Sequence, residues 1–209
     1  MHGPILRLDS LLGAIRLVLM TIRPITIYGE PVLHESAEPV ARITDEVREL
    51  VRDMYETMDA APGVGLAAPQ VGVGARIFVY GWEDEDGTTH RGEAINPTLW
   101  LAPETPGSIE PITDDEDEGC LSFPGERFPL RRSPRVLLEA TNLEGEQYRL
   151  EADGWLARIL QHEFDHLNGV IYVDRLPLPL HKQARKLLRK HHWGVPGCSW
   201  QPGVDNLEG

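Results

Sequence analysis

The stretch GWLARILQHEFDHLNGVIYVDR, residues 154–175, sets His162 and His166 four residues apart, with Glu163 directly after the first. On an α-helix, positions i and i+4 differ by only about 40° around the axis. Both imidazoles then leave one face, close enough to grip one ion. Asp153 is a candidate N-cap and Asn168-Gly169 a stop signal, so a helix is expected between them. Trp155 and Ile159 share the histidine stripe and should wall the space beside the ion. Leu156, Leu160, Phe164 and Leu167 form the neighbouring stripe, which needs a core to bury it.

The flanking sequence supplies that core. ITDEVRELVRDMYETMDAAPG reads as a helix capped by Thr44, with a buried stripe of Val47, Leu50, Val51, Met54 and Met58 and a stop at Pro62-Gly63. Strands are expected at 76–80, at 93–96, and in RVLLEAT and QYRLEA around the turn at 142–145. The acidic runs 83–86 and 114–118 read as solvated loops. The order predicts an α+β fold: mostly antiparallel sheets wrapped around a central metal-binding helix, with a C-terminal helix.

That last helix, 180–193, turns Ala184, Leu187, Leu188 and His191 one way and its bases the other. The chain carries a net charge of −13, which argues against DNA as the main partner, yet no acidic residue falls between Arg175 and Val204. Lys182, Arg185, Lys186, Arg189 and Lys190 thus form a basic flank on an acidic body. No apolar run is long enough to span a membrane. Two cysteines make no disulfide framework and fit a reducing cytoplasm. Residues 1–19 read as an extension before Met20, residues 20–176 as a catalytic domain, and 177–209 as the basic helix and tail.

A metal bound by two histidines needs a third ligand. Downstream, His-Glu-x-x-His is followed by Gly169 in the spacing of one peptidase class, but Tyr172 stands where that class has histidine. Upstream lies Cys120 in EGCLSFPGE. A lone cysteine is commonly a small buried hydrophobe. Beside two histidines it becomes a thiolate ligand that leaves a fourth position open, as in catalytic rather than structural sites. A third segment, GVGLAAPQVG, loosely matches a dinucleotide fingerprint, but it follows a helix and Pro69 obstructs the helix that should come next. Its glycines let backbone approach a ligand, and it is expected to become a strand presenting Gln70, whose amide is a candidate oxyanion donor.

With GVGLAAPQ at 63–70, EGCLS at 118–122 and QHEFDH at 161–166 in order, the chain resembles the peptide deformylases, from about Ile25 through Leu176. The resemblance implies hydrolytic removal of the N-formyl group from the initiator methionine of nascent polypeptides, releasing formate, by a metal-bound hydroxide. It implies Cys120, His162 and His166 as ligands of one divalent ion, Fe(II) in the cell, with Zn, Ni or Co able to replace it. Glu163 becomes the general acid/base, and the Gln70 amide and Leu121 backbone N–H the oxyanion donors. Glu118 is expected to support the cysteine loop by pairing with Arg132. Val64, Gly65, Trp155 and Ile159 are expected around the methionine side chain, in a monomeric cytoplasmic enzyme. Some family members reach the ribosome through a C-terminal helix, which gives the bases of 180–193 an anionic partner. No candidate site residue lies beyond His166.

Overall fold

The computed structural model describes residues 21–103, 116–205 and 207–208. The expected extension at 1–19 and the first two acids of the run at 114–118 lie outside them. Thr44 precedes α1 (Asp45–Ala60), whose Leu50, Val51, Met54 and Met58 are buried as the stripe requires, with Val47 partly so. The central sheet runs β2 (Gly65–Ala67), β3 (Ile77–Glu83), β4 (Thr89–Leu101), β7 (Arg135–Thr141) and β8 (Gln147–Asp153), in that order. Every neighbouring pair is antiparallel.

Period-2 alternation along β3 explains how the sheet serves two helices. Ile77 and Val79 join the cluster of α1, whereas Phe78 and Tyr80 join that of α2 (Gly154–Leu167). Leu156, Leu160 and Leu167 seat α2 on this second face, against Phe78, Leu138 and Ala140. The helix that carries the two histidines is therefore held along its length by apolar packing.

Three local expectations are corrected. The strand at 93–96 is part of a 13-residue β4, because its polar first half gives no hydrophobic signal yet completes the ladder with β3. Asp117 and Glu118 belong to β5 (Asp117–Cys120), which pairs with β6 (Phe123–Pro129), so this end of the acidic run is no solvated loop. The C-terminal helix, α3, spans Leu178–Lys190 rather than 180–193. Ala184, Leu187 and Leu188 pack as expected, but His191 lies past the helix end, exposed and stacked on Trp193 at 4.7 Å.

Beyond α3 the chain turns back across the molecule. A short strand β9 (Ser199–Trp200) pairs antiparallel with β1 (Ile25–Thr26), placing Trp200 in the core with Ile25, Ile27 and Leu121.

Candidate active site

His162 and His166 leave one face of α2 with ring centroids 4.9 Å apart. The β5–β6 hairpin brings Cys120 to them, Sγ lying 3.3 Å from His166 Nε2, and the two Nε2 atoms are 3.2 Å apart. Among the described residues, these three form the one group of His, Cys, Asp or Glu placed to hold a metal ion, and all three are buried. Tyr172 is no competitor: it is buried and donates its hydroxyl to Glu126 O at 2.9 Å.

The arrangement fits a cation. His162 Nδ1 lies 2.6 Å from Glu118 Oε1 and donates to it, which turns the Nε2 lone pair toward His166. Burial opposes a charge on both rings, yet Cys120 and Glu118 overcome it and lift the His162 pKa well above 6.5. Burial, reinforced by His162, holds His166 well below that value. Two imidazole nitrogens and a sulfur converging at these distances call for positive charge between them. A divalent ion bound by one thiolate and two neutral imidazoles supplies it and leaves an open position.

Glu118 fixes this geometry from behind. Its carboxylate accepts from Arg132 Nε and NH2 at 3.0 and 2.6 Å, from Arg158 NH1 at 3.1 Å, and from His162. Burial alone would raise its pKa, but these donors win and hold it far below the usual carboxylate range. Arg132 also reaches Asp165 at 2.6 Å, which Arg175 grips from the other side at 2.5 Å. The expected Glu118–Arg132 pair is therefore one link in a buried network.

Glu163 follows His162 on α2 and is 3% exposed. Its Oε2 has no hydrogen-bond partner among the described residues, and burial pushes its pKa up to about 7. Gly65 of β2 packs flat against this side chain: an added Cβ would overlap the carboxylate, coming within 2.7 Å of its Cδ. The glycine makes room for Glu163, a neighbour that the sequence did not point to.

Gln70 sits in a 3₁₀ turn, Ala68–Val71, not on a strand, since Pro69 removes the N–H a ladder would use. Its Oε1 accepts from Ala67 N–H at 2.8 Å, so the amide aims Nε2 at Ser122 Oγ (3.3 Å) and Cys120 Sγ (3.7 Å). Leu121 follows Cys120 in the two-residue turn that joins β5 to β6.

Of the site residues expected from the sequence, all except His166 and Arg132 line one cavity of about 320 Å³. Val64 and Trp155, 40% and 43% exposed, stand at its rim, while Gly65 and Ile159 are buried deeper. Residues that sequence reasoning passed over also line it, among them Trp82, Arg127, Arg158 and Glu208. Arg158 precedes His162 by four positions, so the helical period that found Trp155 and Ile159 reaches it too. It lies over the Trp155 ring at 5.2 Å. Trp82 approaches Trp155 from β3 at 6.1 Å, on the part of that strand that runs past the expected end at residue 80.

A family model described as polypeptide deformylase matches residues 22–182. Peptide deformylase 2 of Corynebacterium efficiens is 46% identical over 186 residues, 89% of this chain and 96% of that protein. A peptide deformylase of Tropheryma whipplei is 47% identical over 190 residues, 87% of this chain and 94% of its own. Among solved structures, a peptide deformylase from Synechococcus elongatus in complex with actinonin aligns with a TM-score of 0.68 and 38% identity, covering 83% of this chain and 91% of that one. That from Thermus thermophilus gives 0.66 and 35%, over 81% and 94%. The chain belongs to the polypeptide deformylase family.

Proposed function

We propose that this deformylase removes the formyl group of N-formylmethionine at the start of nascent polypeptides with Cys120, His162 and His166 holding one divalent ion, Fe(II) in the cell. The observation that carries the reading is the meeting of these three buried donors beside Glu163, whose Oε2 has no hydrogen-bond partner among the described residues, at the wall of one cavity lined by Cys120, His162 and Glu163. When bound, the ion supplies a Lewis acid for the formyl oxygen and lowers the pKa of water to about 7. The donor set accepts Zn, Ni or Co as well; Fe(II) comes from the family likeness.

Glu163 takes the proton of the attacking water and returns it to the departing amine. Its buried carboxyl, with a pKa raised to about 7, exchanges a proton near neutrality at little cost. The carbonyl carbon becomes tetrahedral and its oxygen gathers charge, which the Gln70 Nε2 and the Leu121 N–H stabilise. Each such donor is worth about 10²–10³ in turnover. Gln70 is pre-aimed by Ala67, which holds the amide's orientation before substrate arrives. The methionine side chain enters between Val64, Gly65, Trp155 and Ile159, the last two spaced one turn apart on α2.

Outside the cavity, Lys182, Arg185, Lys186, Arg189 and Lys190 all lie on α3, turned away from its packed face. We assign them to phosphate contacts with ribosomal RNA, where the enzyme meets its substrates. Co-sedimentation with ribosomes that falls with salt, and is lost on changing Arg185, Lys186 and Arg189 to Glu, is the expected result; equal binding by both forms makes the helix a solvated flank.

The central test is anaerobic. Formate release from a formyl-Met peptide is followed with metal analysis of the same sample, for the native chain and for Cys120→Ala, His162→Ala and His166→Ala. Each substitution should lose metal and activity together. A folded variant that keeps both overturns the ligand assignment.

A further inference from the structure

The peptide unit joining Leu121 to Ser122 is gripped from both sides. Its carbonyl accepts a hydrogen bond from Trp200 Nε1–H at 2.8 Å. A trans peptide points its N–H the opposite way, and this N–H, that of Ser122, donates to Cys120 Sγ at 3.4 Å. Trp200 is 3% exposed, and its backbone is fixed by pairing with Ile25 across β1 and β9. The donor thus comes from a rigid, buried indole supplied by the last strand of the fold.

We propose that Trp200 is a positioning residue of the active site: its indole N–H locks the Leu121–Ser122 plane and thereby aims the Ser122 N–H at the Cys120 sulfur. The inference rests on the reading of Cys120 as a metal ligand. A hydrogen bond to a ligating sulfur draws electron density from it and tunes the ion it holds. The same lock fixes ψ of Leu121, the residue whose own N–H is assigned to the oxyanion. Trp200 does this without lining the cavity, so it offers no side-chain contact of its own to the substrate.

The test uses the full chain loaded with Co(II), whose thiolate-to-metal charge-transfer band reports on the sulfur. Trp200→Phe keeps a buried ring and removes the donor. It should move the band to longer wavelength and lower kcat about tenfold with KM within twofold, the scale at which partners behind a ligand act. Ile25→Val disturbs the same packing without touching the donor; it should lower the melting temperature and leave the band in place. An unmoved band and unchanged kcat in Trp200→Phe overturn the proposal, as does an equal shift in Ile25→Val. If Trp200→Phe fails to fold, benzothienylalanine at position 200, which replaces the indole N–H by sulfur at constant shape, takes its place with the same expectations. Absence of any thiolate band in the unaltered protein overturns the ligand reading itself, and the proposal with it.

Discussion

Glu118→Gln changes one atom type and should damage both stability and metal binding. In the native protein, four donor contacts meet the two oxygens of Glu118: Arg132 NH2 and His162 Nδ1 on one, Arg132 Nε and Arg158 NH1 on the other. A glutamine has one oxygen and one NH2, so either orientation turns a donor toward two donors. Arg132 keeps Asp165 and Arg158 keeps Leu130 O, but the buried guanidinium charges lose the carboxylate they share. Breaking a buried pair in this way costs about 3–5 kcal/mol. For a chain of this size, that lowers the melting temperature by about 6–20 °C.

The His162 ring loses its charged acceptor in the same step, which should weaken metal binding by about 10–100-fold. Urea unfolding of the metal-free protein and competition with a chelator read the two effects separately. The pH dependence has a definite sign. Folding holds the Glu118 carboxyl below its ordinary 4.5, so the stability it provides is present above that value and is lost as pH falls through the lower folded value. The gap between native and Glu118→Gln should be full at pH 7 and narrow below about pH 4.5. A gap under about 1 kcal/mol at pH 7, or one that widens on acidification, would refute the reasoning.

Three further outcomes follow from the same geometry. Glu163→Gln should retain fold and metal yet lose about 10²–10⁴ in turnover, since an amide cannot take up and return the proton; turnover within a few-fold of native, at full metal content, removes Glu163 from its role. Gly65→Ala should cost about 1–3 kcal/mol by overpacking against Glu163 and lower kcat as the carboxylate is displaced; an unchanged melting curve and rate would place that side chain elsewhere. A chain ended after Leu176 loses Trp200 and uncovers Ile25, so urea unfolding should show at least the ~3–5 kcal/mol of a deleted buried tryptophan; native stability in the shortened chain would mean the β1–β9 pair holds nothing.

The sequence was most legible where spacing is set by one local period. His162 and His166, and the wall residues Trp155 and Ile159, follow from 3.6 residues per turn alone, and α1 buries the stripe its apolar spacing predicts. Cys120 needed a chemical argument, a missing ligand, because its partners lie 42 and 46 residues away and no local pattern links them. Glu118 was placed beside Arg132 by the family resemblance alone. Set in a run of acids, it reads as solvated, and only the arrival of Arg132 and Arg158 from other elements makes its burial tolerable. Trp200 was out of reach: a tryptophan in a Gly- and Pro-rich tail carries no sign that its indole ends on a carbonyl 79 residues upstream.

The pairing of β1 with β9 ties the first strand of the fold to the last. Synthesis is vectorial, and contacts between distant segments form late. While the segment after α3 is still inside the ribosome, Ile25 has no strand beside it and the Leu121 carbonyl has no indole donor. The cysteine hairpin and then the ligand helix leave the ribosome ahead of that segment. Cys120, His162 and His166 are therefore delivered before the tryptophan that steadies their loop. The order of birth separates two events in the life of each copy: gathering the three donors comes first, and stiffening the backbone beside the sulfur comes after.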